Sequence, residues 1–259
     1  MTMLDRVERG AAFNLPPRSL LFGAPGIGKT TTLARDGCLF AQTEDGLGLL
    51  DVPAVTISTY DEMLQLMREV AYGESDCKHL VLDSADGFES ITNAAVCEEG
   101  GKTSIEAFGY GKGYTYSAEK WAWLLHAGDY LRRKGIAVTL ISHATATHIA
   151  DPTLGDYVRW SPNLSKKVLP LVEKWADIIG YMAHERAITE RGDRDSNRTV
   201  RTSQTTGSRF IHVEDNGSFI AKNRYSLPPT IEITLSGGWN DVESAIEQAR
   251  AKSREGTSK

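Results

Sequence analysis

The sequence predicts an α/β fold in which a mostly parallel sheet is flanked by helices and extended on its C-terminal side by antiparallel strands. Two observations carry this expectation. Apolar runs short enough to be buried strands alternate with helix-like segments between Ser19 and Met182, the pattern of a parallel sheet covered on both faces. From His184 the texture turns charged, Thr-rich and alternating, which suits antiparallel pairing with one solvated face. A chain of 259 residues with 41% hydrophobic content can bury one substantial core. The expected organisation is one domain over residues 1–235, with its antiparallel extension near 184–235, followed by a C-terminal helix and flexible tail over 236–259.

The elements follow in order. Ser19-Leu20-Leu21-Phe22 reads as a short buried strand, and residues 31–36 as a short helix stopped by Gly37. Residues 38–43 form the next apolar run, closed by Glu44-Asp45-Gly46. Thr59-Tyr60-Asp61-Glu62 has capping-box spacing and opens a helix whose Met63, Met67 and Val70 share one face. His79-Leu80-Val81-Leu82-Asp83-Ser84 is an apolar strand ending in a carboxylate, expected beside the first strand. A Gly- and aromatic-rich stretch over 91–116 precedes a helix over 117–134 with Trp121, Leu124, Leu125 and Leu131 inward, stopped by Gly135. Residues 136–141 make a buried strand ending at Ser142-His143. A loop then runs to about Asn163, and a helix interrupted by Pro170 leads to Trp175 before residues 178–182 resume the sheet. Asn216-Gly217 marks a hairpin between 209–213 and 218–222. Asn240 caps a last helix through Val242, Ala245, Ile246 and Ala249, and residues 252–259 are expected to fray.

Between the first strand and its helix, Gly23-Ala24-Pro25-Gly26-Ile27-Gly28-Lys29-Thr30 spell the phosphate-binding loop G-x-x-x-x-G-K-[ST]. Its glycines let successive N–H groups turn inward around phosphates, Lys29 supplies a positive charge at the β/γ oxygens, and the Thr30 hydroxyl suits Mg²⁺. The expected contacts with a nucleoside triphosphate run from Gly23 through Thr31. A strand-end carboxylate can hold the same metal through water, so Asp83 joins Thr30 as a candidate metal residue. Hydrolysis needs a carboxylate to orient or deprotonate the attacking water, and Glu44, at the next strand's end, is the candidate. The alternative makes it an exposed loop acid like Asp45. His143 is placed to sense the γ-phosphate by a hydrogen bond, or else is a neutral histidine satisfied at a strand end.

Over about residues 18–230 the chain resembles the phage and prophage RecA-like ATPases grouped as AAA-type ATP-binding proteins, some of which act as single-strand annealing recombinases. The likeness rests on the phosphate loop, Thr43-Glu44-Asp45-Gly46, Leu80-Val81-Leu82-Asp83-Ser84 and Ile105-Glu106-Ala107-Phe108-Gly109-Tyr110-Gly111-Lys112-Gly113-Tyr114. It continues through Ile141-Ser142-His143-Ala144, Trp175-Ala176-Asp177 and Ala221-Lys222-Asn223-Arg224-Tyr225. The resemblance implies a RecA-like core that binds ATP and Mg²⁺, hydrolyses ATP under stimulation by single-stranded DNA, and serves recombination, annealing or repair in a host cytoplasm. A single-strand-binding protein is a further candidate partner. Relatives often carry an Asp two places before the glutamate, where this chain has Gln42.

Tyr110 and Tyr114 around Lys112 combine π-faces with a cation, the means by which single-strand binders hold bases and phosphates. The alternative is that the tyrosines pack the next helix. Arg159, Lys166 and Lys167 could line the same channel, although a Lys pair also suits a solvated helix face. Lys222 and Arg224 stand two apart on a strand-like run and point one way. A RecA-like core leaves its γ-phosphate open to a neighbouring subunit, so these cations are candidate catalytic donors in a ring or filament; otherwise they guard an edge strand. Two other classes stay open. A small-molecule kinase would share the loop, with Arg191, Arg194, Arg198 and Arg201 as its lid, and an ATP-switched replication accessory would bind no DNA directly. A net charge of −5 argues against a uniformly basic nucleic-acid binder, three cysteines without a C-x-x-C pair argue against a zinc site, and no apolar run suggests a leader or membrane contact.

Overall fold

Alternation along the strands decides the layering of this protein, whose computed structural model describes residues 14–150, 152, 155–192 and 199–257. In β1 (Arg18–Gly23), Leu20 and Phe22 face one way and Leu21 the other; in β2 (Cys38–Gln42), Ala41 opposes Phe40. After the short β3 (Ala54–Thr56), the same split separates Leu80 and Leu82 from Val81 in β4 (His79–Asp83), and Val138 and Leu140 from Ile141 in β5 (Ala137–Ile149). Strands apolar on both faces need helices on both. The Leu21 face is covered by α1 (Lys29–Leu33) through Leu33. The Leu20 face is covered by α2 (Tyr60–Tyr72), α3 (Ala85–Glu99), α4 (Lys112–Arg133) and α5 (Leu169–Trp175), which bury Met63, Phe88, Trp121 and Val172. Last comes α6 (Trp239–Thr257), which returns to the α1 side and buries Trp239, Val242 and Ile246 beside Leu33.

The remaining strands are β6 (Tyr157–Pro162), β7 (Ile178–Gly192), β8 (Thr199–His212), β9 (Lys222–Asn223) and β10 (Thr230–Ile233). The 10-stranded sheet runs β10-β8-β7-β1-β5-β4-β2-β3, with β6 on β5 and β9 on β7. From β7 to β3 every pairing is parallel, while β8, β10, β6 and β9 add antiparallel. This is the mostly parallel, helix-flanked sheet with an antiparallel C-terminal side that the sequence predicts. Among the described residues, no helix is long and apolar enough to cross a membrane.

Local expectations differ from the structure in several places. The Asp83 strand does not neighbour β1, because β5 lies between them. Any strand apolar on both faces fits a central slot, so composition could not rank these neighbours. Helix α3 occupies part of the stretch left unassigned; its buried stripe of Phe88, Thr92 and Val96 is interrupted by a polar residue whose hydroxyl donates to Phe88 O at 2.8 Å. Helix α4 begins at Lys112, five residues earlier than expected (112 against 117), despite Gly113 in its first turn. A Cβ at 113 would lie 2.3 Å from Ile105 O, so close packing rather than looseness places glycine there. The loop expected to run to Asn163 is a hairpin, with β5 continuing to Ile149 and pairing with β6. Asn216-Gly217 does not join two paired strands. Instead β8 pairs with β7 and β10, and the chain beyond Gly217 crosses to β6, where Trp160 N donates to Ser218 O at 2.8 Å. Helix α6 continues to Thr257, through most of the stretch expected to fray.

An ion network ties down the lower end of the sheet, where the parallel strands begin. Buried Asp177 accepts from Arg18 Nη2 at 2.7 Å, Arg18 Nε at 3.0 Å and Arg224 Nη1 at 3.1 Å, with Arg132 3.6 Å away. Arg18 also binds Asp129 at 2.9 Å, and Trp175 Nε1 donates to the same carboxylate. Burial works to raise the Asp177 carboxyl, but the hydrogen bonds from Arg18 outweigh it and hold the group below its ordinary value. Stability from a depressed carboxyl is complete above the unfolded value of about 3.9 and is lost as pH falls through the lower folded value. Asp177→Asn should therefore cost about 3 kcal/mol at neutral pH. In urea melts the gap to wild type should narrow below about pH 4; a gap independent of pH would contradict this role.

Candidate active site

The phosphate loop begins where β1 ends. Gly23 cannot carry a side chain, since a Cβ there would lie 2.5 Å from Met182 O on β7. Gly28 caps α1 with φ 97°, a left-handed conformation that glycine adopts without strain. The first N–H groups after it have no helical acceptor. Lys29 is buried against the loop, its ammonium donating to Gly23 O and Ala24 O, each at 3.0 Å. Burial lowers its pKa, opposed by the charges of Asp83 and Asp86.

Opposite the loop, Thr30 Oγ1 donates to Asp83 Oδ2 at 2.7 Å. Burial pushes the Asp83 carboxyl up, against the pull of Thr30 and Lys29. Three residues on, Asp86 in the first turn of α3 accepts from His143 N at 3.1 Å and meets His143 Nδ1 at 2.8 Å. Burial would raise the Asp86 carboxyl, but the hydrogen bonds from His143 prevail and lower it. An ionised carboxylate can only accept, so in the neutral imidazole Nδ1 carries the proton and Nε2 is an acceptor.

Glu44 is positioned by its neighbour. Thr43 N donates to Asp83 O at 2.8 Å, and Ser84 N donates to Thr43 Oγ1 at 3.0 Å, so the end of β2 is stapled to the end of β4. The result is a cleft of about 350 Å³ lined by Pro25, Gly26, Gly28, Lys29, Thr30 and Thr31 from the loop and by Gln42, Glu44, Asp83 and His143 opposite, with Leu47 and Leu50 as apolar wall. Asp45 is not part of the lining. These residues fit a Mg²⁺-bearing triphosphate: the loop N–H groups and Lys29 suit phosphate oxygens, and the Thr30 hydroxyl and Asp83 carboxylate are the hard oxygen donors Mg²⁺ takes.

Other sequence candidates lie elsewhere. Lys222 pairs with Ile179 and Asn223 with Ile178, level with Leu20 and Ser19, roughly 10 Å below Gly23 at strand spacing. Lys222 Nζ donates to Glu173 O at 2.5 Å, and Arg224 binds Asp177, so neither reaches its own chain's loop. Their side chains do point one way, since both also approach Lys174 O at 3.4 Å. Tyr110 is fully exposed, and Lys112 follows it at the start of α4. Tyr114 is in the helix rather than a loop, with its hydroxyl on Glu106 Oε1 at 2.5 Å. Arg159 is on β6 and pairs with Asp215, while Lys166 and Lys167 form an exposed turn before α5. Arg194 and Arg198 lie outside the described residues. Sequence reasoning missed Asp86 and Gly87, whose signal was the spacing Asp83-Ser84-Ala85-Asp86-Gly87 after a strand, and the stapling role of Thr43, legible there only as part of its turn. It also missed Arg209 of β8, whose guanidinium stands beside Gly28.

With this geometry in place, comparison adds a family. A family model described as an AAA domain matches residues 15–225, most of the chain. No curated protein matches the sequence. Among solved structures, the flagellar accessory protein FlaH from Methanocaldococcus jannaschii is similar over 84% of each chain, at 8% identity and a TM-score of 0.42.

The Thr43 staple is testable without any ligand. A Cβ at Gly87 would lie 2.2 Å from Thr43 Oγ1. Gly87→Ala should destabilise the fold by about 1–3 kcal/mol. In Thr43→Ala the same substitution should cost clearly less, because the closest contact is gone and only Thr43 Cβ at 3.0 Å and Ser84 Oγ at 3.2 Å remain tight; equal costs in both backgrounds, read by chemical denaturation, would disprove the contact.

Proposed function

The chain belongs to the AAA domain family, and we propose that it binds ATP with Mg²⁺ in the Gly23–Thr31 loop, hydrolyses it, and couples turnover to single-stranded DNA. The observation that carries the nucleotide reading is the convergence of buried Lys29 with the 2.7 Å Thr30–Asp83 pair in one cleft. Mg²⁺, when bound, neutralises charge on the phosphates. Lys29 leaves the loop carbonyls for phosphate oxygens. Glu44 orients the attacking water, the role favoured over Asp45 by its place in the cleft. His143, held by Asp86, presents Nε2 to the terminal phosphate or the water beside it.

The DNA reading rests on where exposed groups gather. Helix α4 ends at the lower end of the sheet, where Arg132 meets Asp177, so its start, with Tyr110 and Lys112, lies toward the upper, carboxyl end. The β5–β6 hairpin, carrying half-exposed Trp160, extends from the same end. That end also holds the phosphate loop, and ligands of open α/β sheets bind there. Recombination, annealing or repair is the setting this combination suits. Lys222 and Arg224, remote from their own loop, would serve only a neighbour's nucleotide in a ring or filament.

Lys29→Ala should abolish turnover and Glu44→Gln should keep nucleotide binding while slowing hydrolysis by roughly 10²–10⁴. Slowing by Asp45→Asn and not by Glu44→Gln would transfer the role to Asp45. For DNA, replacing Tyr110, Lys112 and Tyr114 with Ala should weaken single-strand affinity by about tenfold or more in fluorescence anisotropy, since each stacked base contributes about 1–3 kcal/mol. Unchanged affinity in the folded triple mutant would refute the stacking role and favour the kinase or accessory alternatives.

A further inference from the structure

We propose that Arg209 is a phosphate ligand supplied by the same chain, gripping the nucleotide at the phosphate nearest its nucleoside; this rests on the nucleotide reading of the loop. Register places the residue. Met182 of β7 pairs with Gly23, where the loop begins, and also with Ile211 of β8; Arg209 lies two residues beyond Ile211, opposite His184. Two strand residues carry it roughly 7 Å past the end of β1, over the loop. Side chains two apart share a face, and Ile211 belongs to the core beneath α1 and α6, so Arg209 reaches the loop from the α1 side. Its guanidinium stands so close that a Cβ on Gly28 would lie 2.2 Å from Nη1.

Arg209 makes no hydrogen bond or ion pair with the described residues, so a half-buried cation stands beside Gly28, next to buried Lys29 and the loop N–H groups, with no anion of its own. Lys29 has Asp83 and Asp86 for opposite charges, whereas the guanidinium beside Gly28 has no such partner among the described residues, and an anion held by the loop N–H groups would supply one. Sheet order says which part of the anion this is. Asp83, Glu44 and His143 come from β4, β2 and β5, on one side of β1, whereas β7 and β8 lie on the other. A triphosphate with its metal-bearing end at Thr30 and Asp83 points its nucleoside end toward β8. A guanidinium there meets a phosphate that ADP and ATP share, and its planar fork can hold two oxygens at once.

The test is ADP affinity of the full chain with Mg²⁺, by calorimetric titration, alongside the melting temperature without ligand. Arg209→Ala should weaken ADP at least about tenfold, as expected for a charged hydrogen bond, with an unliganded melting temperature no lower than wild type. Arg209→Lys should recover part of the affinity. Unchanged ADP affinity in Arg209→Ala would overturn the assignment. So would a loss that accompanies a lower melting temperature and is not relieved by lysine, since that is a structural role. Wild-type protein that binds no ADP, or binds it equally after Lys29→Ala, would overturn the nucleotide reading beneath it.

Discussion

Two groups of opposite charge, the buried Lys29 ammonium and the half-buried Asp83 carboxylate, set the terms for the rest of the upper end of this molecule. Burial disfavours the charged form of each, lowering the lysine and raising the acid. Each is held by short polar contacts, Lys29 by two loop carbonyls and Asp83 by Thr30. Their mutual attraction offsets only part of the burial cost, and a ligand with complementary charge for each would offset more. A polyphosphate carrying a divalent cation does so on both sides at once, with negative oxygens for Lys29 and a metal for Asp83. The neighbouring devices then have a common purpose. Thr43 staples the Glu44 turn to Asp83, Gly87 leaves room for that staple, and Asp86 orients His143 toward the same cleft.

The lower end of the sheet does a different job. Asp177 gathers Arg18, Arg132 and Arg224, linking the first residue of β1 to α4 and to the segment after β9. This fixes the start of β1, and so the height at which Gly23 releases the chain into the loop. The Gly23–Met182 and Met182–Ile211 register then delivers Arg209 to the loop's other flank. The antiparallel extension is thus joined to the site through the same strand that opens it.

What could be read from sequence was local. The loop motif, the Thr59 capping box, and the alternation of Leu20, Leu21 and Phe22 each depend on residues a few positions apart, and each appears in the structure where expected. What could not be read depends on distant partners. Nothing in the apolar run 137–141 tells that β5 separates β1 from β4. Gly113 looked like a loop residue because its reason, the approach of Ile105 O, lies on another segment. The paired cations Lys222 and Arg224 were recognised as facing one way, but their partners, Asp177 and the α5 carbonyls, follow only from the β7–β9 register. Arg209 sits in an ordinary alternating strand, and only its height above β1 distinguishes it.

The most direct test of the paired-charge account is a crystal structure of the full chain with Mg²⁺ and a non-hydrolysable ATP analogue. It predicts phosphates against the loop N–H groups, the Lys29 ammonium moved from Gly23 O and Ala24 O to phosphate oxygens, and Mg²⁺ about 2.0–2.1 Å from Thr30 Oγ1. Asp83 would stand behind the metal's water. An analogue bound elsewhere, with the Lys29 and Thr30–Asp83 contacts unchanged, would contradict it.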